Sequence, residues 1–448
     1  MKKIIIANHY DGPAPEMEFG GPVGVLFIIV LSHFLLYYLW TALYYYQGGL
    51  PLPTSIADIL PFLGRFFQHI IENASPTLYA LKIYVGFILF QFFLARFMPG
   101  TLIKGLPIPS ENNRQYQYLC NGITSWYATL LTVFILHYSG LFRLTELADH
   151  LGPLLSVAII SADLIAISVY VIVKLKRKNL SFSGNFLYDF FIGIILNPRI
   201  NKIDLKFFSE IRVAWIFLFL LTLSAAFKQY DLYHTITWPM IFMLVAHGLY
   251  TNACMKGEEC IPTTWDIFHE KWGWMLIFWN FAGVPFFYSF QSFYILENNP
   301  QLSTTYIIVL FILLFISYYI WDTSQSQKNH FRMQRRGTYV VSKAFPQLPW
   351  GTLKNPKYLQ TANGSQLLID GWWRYARKIH YTADIIMAFT WALSCGFGGV
   401  LPYLYPIFFL LMITHRYQRD TKRCIKKYGK DWEQYQKAVP YKFIPYIY

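Results

Sequence analysis

Apolar residues in this chain come in long blocks, separated by polar stretches rich in Lys, Arg, Gly and Pro. A bilayer-crossing helix needs about 20 mostly apolar residues. Blocks of that kind run over Gly24–Tyr46, Leu78–Met98, Ile123–Leu141, Pro153–Val173, Val213–Phe227, Ile236–Tyr250, Trp274–Ile295 and Tyr306–Trp321. A last stretch, Ala383–Ile413, is too long for one helix. Gly396, Gly398, Gly399 and Pro402 divide it into two, the second short. The pattern predicts an all-α polytopic membrane protein of about ten transmembrane helices. It reads as a single integral-membrane domain over 1–448. An N-terminal segment (1–23) precedes about eight helices (24–321), and a polar region (322–448) carries the last two helices and a C-terminal tail.

Composition agrees with this layout. Of 448 residues, 55% are hydrophobic, 19% aromatic and only 14% charged, where a soluble domain carries roughly 25% charged residues. Disorder, a disulfide scaffold and a secreted soluble fold are excluded. The net charge of +14, from 38 Lys+Arg against 24 Asp+Glu, would point to nucleic acid in a soluble protein. In a membrane protein it reflects the positive-inside bias and attraction to anionic lipid, so no nucleic-acid partner is expected. Five Cys without a CxxC pair argue against disulfides and structural zinc. The N-terminal apolar run lacks a cleavage site and is not read as a signal peptide.

The basic residues sort by loop. One set holds Lys104 and Arg114, then Lys174, Lys176, Arg177, Lys178, Arg199, Lys202 and Lys206, then Lys256 and Lys271. It continues with Lys328, Arg332, Arg335, Arg336 and Lys343, and ends in the tail from Arg416 to Lys442. The opposite loops, near 47–77, 143–152, 229–235 and 296–305, hold only Arg65, Arg143 and Lys228. The asymmetry predicts both termini on the cytoplasmic side. One elaborate polar face on a lipid-embedded body suits an apolar substrate from the bilayer and a polar co-substrate from the cytosol. A transporter or channel shares the layout.

Three constellations on that face carry candidate chemistry. Lys328 and Arg332 stand at i and i+4 if the preceding helix continues, a cation pair suited to a phosphate; as snorkelling anchors they would look the same. The run Asn363 to Asp384 places Trp372, Trp373, His380, Tyr381 and Asp384 at the edge of the apolar block, where ionisable groups tend to face a bundle interior. In the tail, Arg416, Asp420, Cys424 and Tyr428 recur every fourth residue, one helical stripe offering a guanidinium, a carboxylate, a thiol and a phenol. A basic tail lying on lipid is the plainer reading. Glu258, Glu259, Asp266 and Glu270 cluster in sequence after Tyr250; a buried carboxyl among them would make an acid. There is no GxGxxG at a strand–helix junction, Walker A loop, HExxH or GxSxG motif, and no metal site is expected.

Longer runs carry a resemblance. Gly184–Gly193 with Leu196-Asn197-Pro198-Arg199, the stretch from Leu367 to Tyr448, and Glu18-Phe19-Gly20-Gly21 together resemble the sterol reductase family: membrane enzymes reducing the carbon-14, carbon-7 or carbon-24(28) double bond, with the lamin B receptor. Glu270–Asn280, Ala282–Pro285, Gln327–Asn329, Lys354–Tyr358, Arg377–Asp384 and Ala392–Phe397 look like the C-24(28) branch. The carbon-14 reductases usually have Asn where this chain has His380, which favours the same branch.

The resemblance implies a ten-helix reductase with NADPH as hydride donor in a cytosolic-side pocket of the C-terminal half. Carried over, the cofactor contacts are Lys328, Arg332, Leu368, Trp373, His380, Tyr381, Arg416, Asp420, Cys424, Tyr428 and Tyr435. Lys328 and Arg332 would face the 2′-phosphate; Asp420 and Tyr428 the nicotinamide or its ribose. An isolated alkene must be protonated before hydride adds, and Tyr250, Asp266, Glu270 and His380 are the candidate donors. The implied membrane is the endoplasmic reticulum in a eukaryote or the inner membrane in a bacterium. The alternatives are carbon-7 or carbon-14 reduction by the same fold, a non-catalytic sterol-binding membrane protein, and, more remotely, a transporter.

Overall fold

The structure, a computed structural model, describes residues 17–108, 112–176, 183–342 and 344–447. Arg177, Lys178 and Lys343 of the loop-charge pattern, and most of the N-terminal segment, lie outside those residues. The chain is mostly helical. Its principal helices are α1 (Gly21–Tyr46), α2 (Ile59–Asn73), α3 (Leu78–Phe97), α4 (Gly122–Tyr138), α5 (Leu151–Lys176), α6 (Leu205–Tyr233) and α7 (Trp238–Lys256). They continue with α8 (residues 274–298), α9 (Thr304–Arg335), α10 (Ile379–Leu393), α11 (Leu404–Tyr428) and α12 (Lys430–Ala438). Every predicted apolar block coincides with a helix. Five of these, α1, α3, α5, α6 and α9, are long and apolar enough to cross a membrane.

Local chemistry sets several boundaries. The Thr77 hydroxyl accepts from the Ala80 amide at the start of α3, and the Ser303 hydroxyl from the Tyr306 amide at the start of α9; each satisfies an amide with no partner in its own helix. Gly429, at φ 52°, ends α11 and turns directly into α12. Both α6 and α8 contain wide π-helical stretches, Ser209–Ile216 and Trp279–Phe287, the second around Pro285. Proline has no amide hydrogen to donate, so the loosened turn falls where a helical bond is already missing.

Two features depart from the sequence expectation. The 47–77 stretch, read as a loop, contains α2, an amphipathic helix that turns Phe62 and Phe66 inward and leaves Leu60, Phe67 and Ile71 exposed. It is too short and too mixed in polarity to register as an apolar block. Small antiparallel ribbons also occur, β1–β2 (Thr101–Lys104 with Gln117–Cys120), β3–β4 (Arg199–Ile200 with Ile203–Asp204) and β5–β6 (Tyr358–Gln360 with Gln366–Leu368). All lie between helices.

The core is one large apolar cluster in which α6 is the most enclosed element; 83% of its most apolar stretch is buried, against 28% for α1. Helices α9 and α10 pack along each other, α11 lies beside α10, and α7 meets α9, α6 and α10. Those contacts place the polar end of α9 next to the first turn of α10 and the polar half of α11. There the predicted constellations meet.

Candidate functional site

Helix α9 runs without interruption from its apolar half into the sequence Gln327-Lys328-Asn329-His330-Phe331-Arg332, so Lys328 and Arg332 do stand one turn apart on one continuous helix. Lys328 is half-buried and Arg332 exposed. Neither makes an ion pair or hydrogen bond among the described residues. Instead the Lys328 ammonium sits 3.7 Å from the centre of the Trp373 ring, a cation–π contact.

Trp373 is 1% exposed, and its indole donates to the Ser324 carbonyl at 2.8 Å. The neighbouring Trp372 donates to the Thr323 hydroxyl at 2.8 Å, and its amide to the Gln327 side chain at 2.9 Å. The paired tryptophans thus fix the 371–374 turn to α9. Gly371 makes this possible: at φ 58°, a Cβ there would come within 2.3 Å of the Gln327 side-chain oxygen. Leu368, at the end of β6, packs with Phe331 and Trp373 in a small buried cluster.

Directly after Lys378 the chain enters α10. His380 is buried, its ring 5.0 Å from Trp373 and 4.3 Å from Tyr381, and its Nδ1 has no hydrogen-bond partner among the described residues. Lys378 reaches α11 and donates to Asp420 at 2.5 Å. Burial alone would raise the Asp420 carboxyl, but Lys378 in contact and Lys328 nearby outweigh it and hold the group below the ordinary carboxylate range. Asp420 and Cys424 face Lys328, and Asp420, Cys424, Tyr428 and Tyr435 face Arg332. The fourth-residue stripe of the tail therefore meets the cation pair of α9. Tyr435, in α12, packs on Trp432 at 5.2 Å, and its phenol is pushed up to about 12, chiefly by burial. The tail is packed: Tyr441 and Lys442 carbonyls accept from the Arg377 and Lys378 amides at 3.0 Å, and the Phe443 carbonyl accepts from Thr382.

Three sequence candidates sit elsewhere. Asp266 accepts from Arg416 at 2.9 Å. Glu270 accepts from the Trp265 indole at 2.5 Å and from Arg419 at 3.1 Å, and Arg419 also pairs with Glu18. These contacts attach the 257–272 stretch and residue 18 to α11, so both carboxylates are engaged by guanidinium groups. Arg416 belongs to this clasp as much as to the stripe. Tyr250 lies in α7 among aromatic rings: Trp321 at 4.8 Å, Trp215 at 4.8 Å and Trp391 at 5.6 Å. None of the four acidic residues that follow it in sequence approaches it; Glu258 is instead bonded to Arg212 at 2.8 Å. The carboxyl whose charge bears on Tyr250 is that of Asp384, in α10.

The α9 and α10 registers relate the two places. Trp321 precedes Lys328 by two turns, about 10 Å at 1.5 Å per residue, and Asp384 follows His380 by one, about 6 Å. Tyr250 and Asp384 therefore lie one to two turns deeper in the bundle than the polar wall. Sequence reasoning passed over Lys378 and Asp384 as partners. Both were in the quoted motif, but only packing between α7, α10 and α11 shows what each touches.

A bundle of apolar helices with a polar wall at one end and a cluster of aromatic rings around Tyr250 beneath it is the architecture of a membrane-integral protein. Residues 14–448 match the model of the ergosterol biosynthesis ERG4/ERG24 family, and the chain belongs to that family. It is 41% identical over 434 residues to the Delta(24(24(1)))-sterol reductase erg4A of Aspergillus fumigatus, covering 96% of this chain and 92% of the relative. The Delta(14)-sterol reductase of Methylotuvimicrobium alcaliphilum is 36% identical over 435 residues, covering 97% of each. The 7-dehydrocholesterol reductase of Xenopus laevis is 32% identical over 468 residues, covering 98% of this chain and 94% of the relative.

Proposed function

We propose that this protein is an NADPH-dependent sterol reductase acting on the C-24(28) double bond. The observation that carries the reading is the wall formed by Lys328, Trp373, His380 and Asp420, from three helices and one turn, at one end of an apolar bundle. The higher identity to a Delta(24(24(1)))-sterol reductase than to the Delta(14) and 7-dehydrocholesterol enzymes supports the choice of bond.

The wall suits a phosphate-bearing cofactor. Lys328 and Arg332 are two cations one turn apart with no anion paired to either, an arrangement that a 2′-phosphate would neutralise. The unpartnered Nδ1 of His380 and the Asp420 carboxylate, fixed by Lys378, offer a donor or acceptor and an acceptor to amide or ribose groups. Tyr381, Tyr428 and Tyr435 add phenols and ring faces, Leu368 and Cys424 apolar contact, and Arg416 a further cation. When bound, NADPH supplies the hydride. The protein's own task is to deliver a proton to the other alkene carbon in a dry chamber. We assign it to Tyr250, buried beneath the wall, because Asp266 and Glu270 are held by arginines and His380 stands in the wall itself.

We further read ten membrane spans in a single domain, with α4, α7, α8, α10 and α11 joining the five helices that are long and apolar enough to cross a membrane. Both termini and the wall lie on the cytosolic side, in the endoplasmic reticulum or a bacterial inner membrane. The test is product analysis by mass spectrometry after incubating purified protein and NADPH with sterols unsaturated at carbon 24(28), 7 or 14. Reduction of the 24(28) bond alone is expected; reduction of another would overturn the choice of bond.

A further inference from the structure

Gln327 directly precedes Lys328 in α9 and is fully buried. A buried primary amide is costly unless its polar atoms are bonded, and those of Gln327 are bonded to two different segments. Its Nε2 donates to the Trp350 carbonyl at 2.8 Å, and its Oε1 accepts from the Trp372 amide at 2.9 Å. The first segment is strained at that point. Trp350 has φ 67°, a left-handed conformation unusual for a bulky residue, and its ring stands 5.1 Å from that of Trp372. Such backbone persists where its surroundings over-determine it; here the bond from Gln327 and the ring contact do so. The second segment is pressed as close. A Cβ at Gly371 would meet not only the Gln327 oxygen but also the Leu353 side chain, at 2.8 Å. Thr323 and Ser324 hold the indoles of the 371–374 turn, and Tyr319 and His330 hold the Pro349 and Gly351 carbonyls. Of these α9 residues, Gln327 is the one that joins the two segments.

Resting on the cofactor reading above, we propose that Gln327 is a positioning residue of the wall. By tying the 371–374 turn to the Trp350 carbonyl, it sets the Trp373 ring against the Lys328 ammonium and so presents that ammonium to a phosphate monoester. A lysine ammonium rides on a flexible four-carbon stem and leaves its helix in many directions. The ring face of Trp373, 3.7 Å away, confines it to one of them. The ring in turn keeps its place because its turn is bonded to α9. Consecutive residues leave a helix about 100° apart, so Gln327 and Lys328 point to different sides of α9, and Gln327 acts from behind, through the turn. With its two bonds removed, the turn is free to shift and the phosphate meets a mobile cation in place of a pre-organised one. The loss falls on affinity for the phosphate group, because the Lys328 ammonium is the group displaced.

Two nucleotides separate this role from a general loss of structure. 2′,5′-ADP carries the ribose 2′-phosphate, and 5′-AMP lacks it. Both are titrated calorimetrically against the full chain in detergent. Gln327→Met keeps the length of the side chain and removes both bonds. It should weaken 2′,5′-ADP by roughly 10-fold or more and 5′-AMP by less than about 2-fold. In turnover, the KM for NADPH should rise by a similar factor while kcat stays nearly unchanged. Wild-type affinity for 2′,5′-ADP in folded Gln327→Met protein, or equal losses for the two nucleotides, would overturn the proposal. If Gln327→Met does not fold, Gln327→Asn, whose amide falls one methylene short of both partners, is titrated in its place and judged in the same way. A wild type that binds 2′,5′-ADP no better than 5′-AMP would remove the cofactor reading, and the proposal with it. A wild type that prefers 2′,5′-ADP, matched by its variant, would remove the role of Gln327 alone.

Discussion

On the function proposed above, Lys328 and Arg332 are the residues expected to carry a preference for a phosphorylated cofactor. Replacing both by Ala should raise the KM for NADPH by at least 10-fold and leave that for NADH nearly unchanged; equal effects on the two would remove the phosphate-clamp role. Acidity offers an independent reading of the same pair. A phosphate monoester loses its second charge below about pH 6. Asp420 adds no titration in that window, because Lys378 keeps its folded-state carboxyl below the ordinary range and its ionised form is lost only at still lower pH. The ratio of NADPH to NADH affinity should therefore fall as pH drops through about 6 in the wild type, and stay flat in the double variant. Measuring Kd by fluorescence titration from pH 5 to 8 checks this. The stripe behind the prediction was legible in sequence, since residues four apart on a helix share a face. Lys378 with Asp420 was not, because that pair joins the residue just before α10 to α11.

At the scale of elements, buried ion pairs hold the polar loops to the helices. Arg212, in the π-helical opening of α6, donates to Glu258 at 2.8 and 2.9 Å and to Asn121 at 2.5 Å, while the Gly122 amide donates to the other Glu258 oxygen at 2.6 Å. Both charged side chains are 2% exposed. Removing one partner of such a pair leaves the other charge buried alone, at a cost of roughly 3–5 kcal/mol. Glu258→Ala should consequently lower the melting temperature in detergent sharply, whereas Asp58→Ala, at the exposed pair with Arg65, should shift it far less. Equal shifts would deny the buried network its role. Sequence order placed Glu258 beside Tyr250 as a possible acid; its engagement by Arg212 is a tertiary fact that no local pattern encodes. Gly193 and Gly273 show the reverse case. They belong to two motif runs that carried the family resemblance, and a Cβ at Gly193 would meet the Gly273 backbone nitrogen at 2.5 Å. The two runs cross there with no room for a side chain.

Across the whole molecule, the helical, membrane-integral character was plain from block length and composition alone. The basic-residue pattern was a blunter instrument. Lys206 is fully buried, donating to the Ile267 and Glu270 carbonyls at 2.9 and 2.6 Å, and Lys256 is 7% exposed and paired with Asp322 at 2.6 Å. Both were counted as loop charges, yet each neutralises or ties down an internal group. The remaining asymmetry underlies the proposal that the wall lies on the cytosolic side, and cysteine labelling checks it. Single cysteines introduced at Gln68 and at Gln347 in a cysteine-free background should react with a membrane-impermeant maleimide from opposite sides of sealed vesicles. Labelling of both from one side would contradict the ten-span arrangement.

The central claim is that the wall delivers hydride to a sterol double bond in the chamber beneath it, while the proton comes from within. Incubating the purified protein with its 24(28)-unsaturated sterol and NADPH deuterated at nicotinamide carbon 4 tests that most directly. The account predicts one deuterium in the reduced side chain from the cofactor in ordinary water, and a second, at the neighbouring carbon, only when the solvent is deuterated. Reduced sterol carrying no cofactor deuterium, or bound sterol left unreduced, would contradict it.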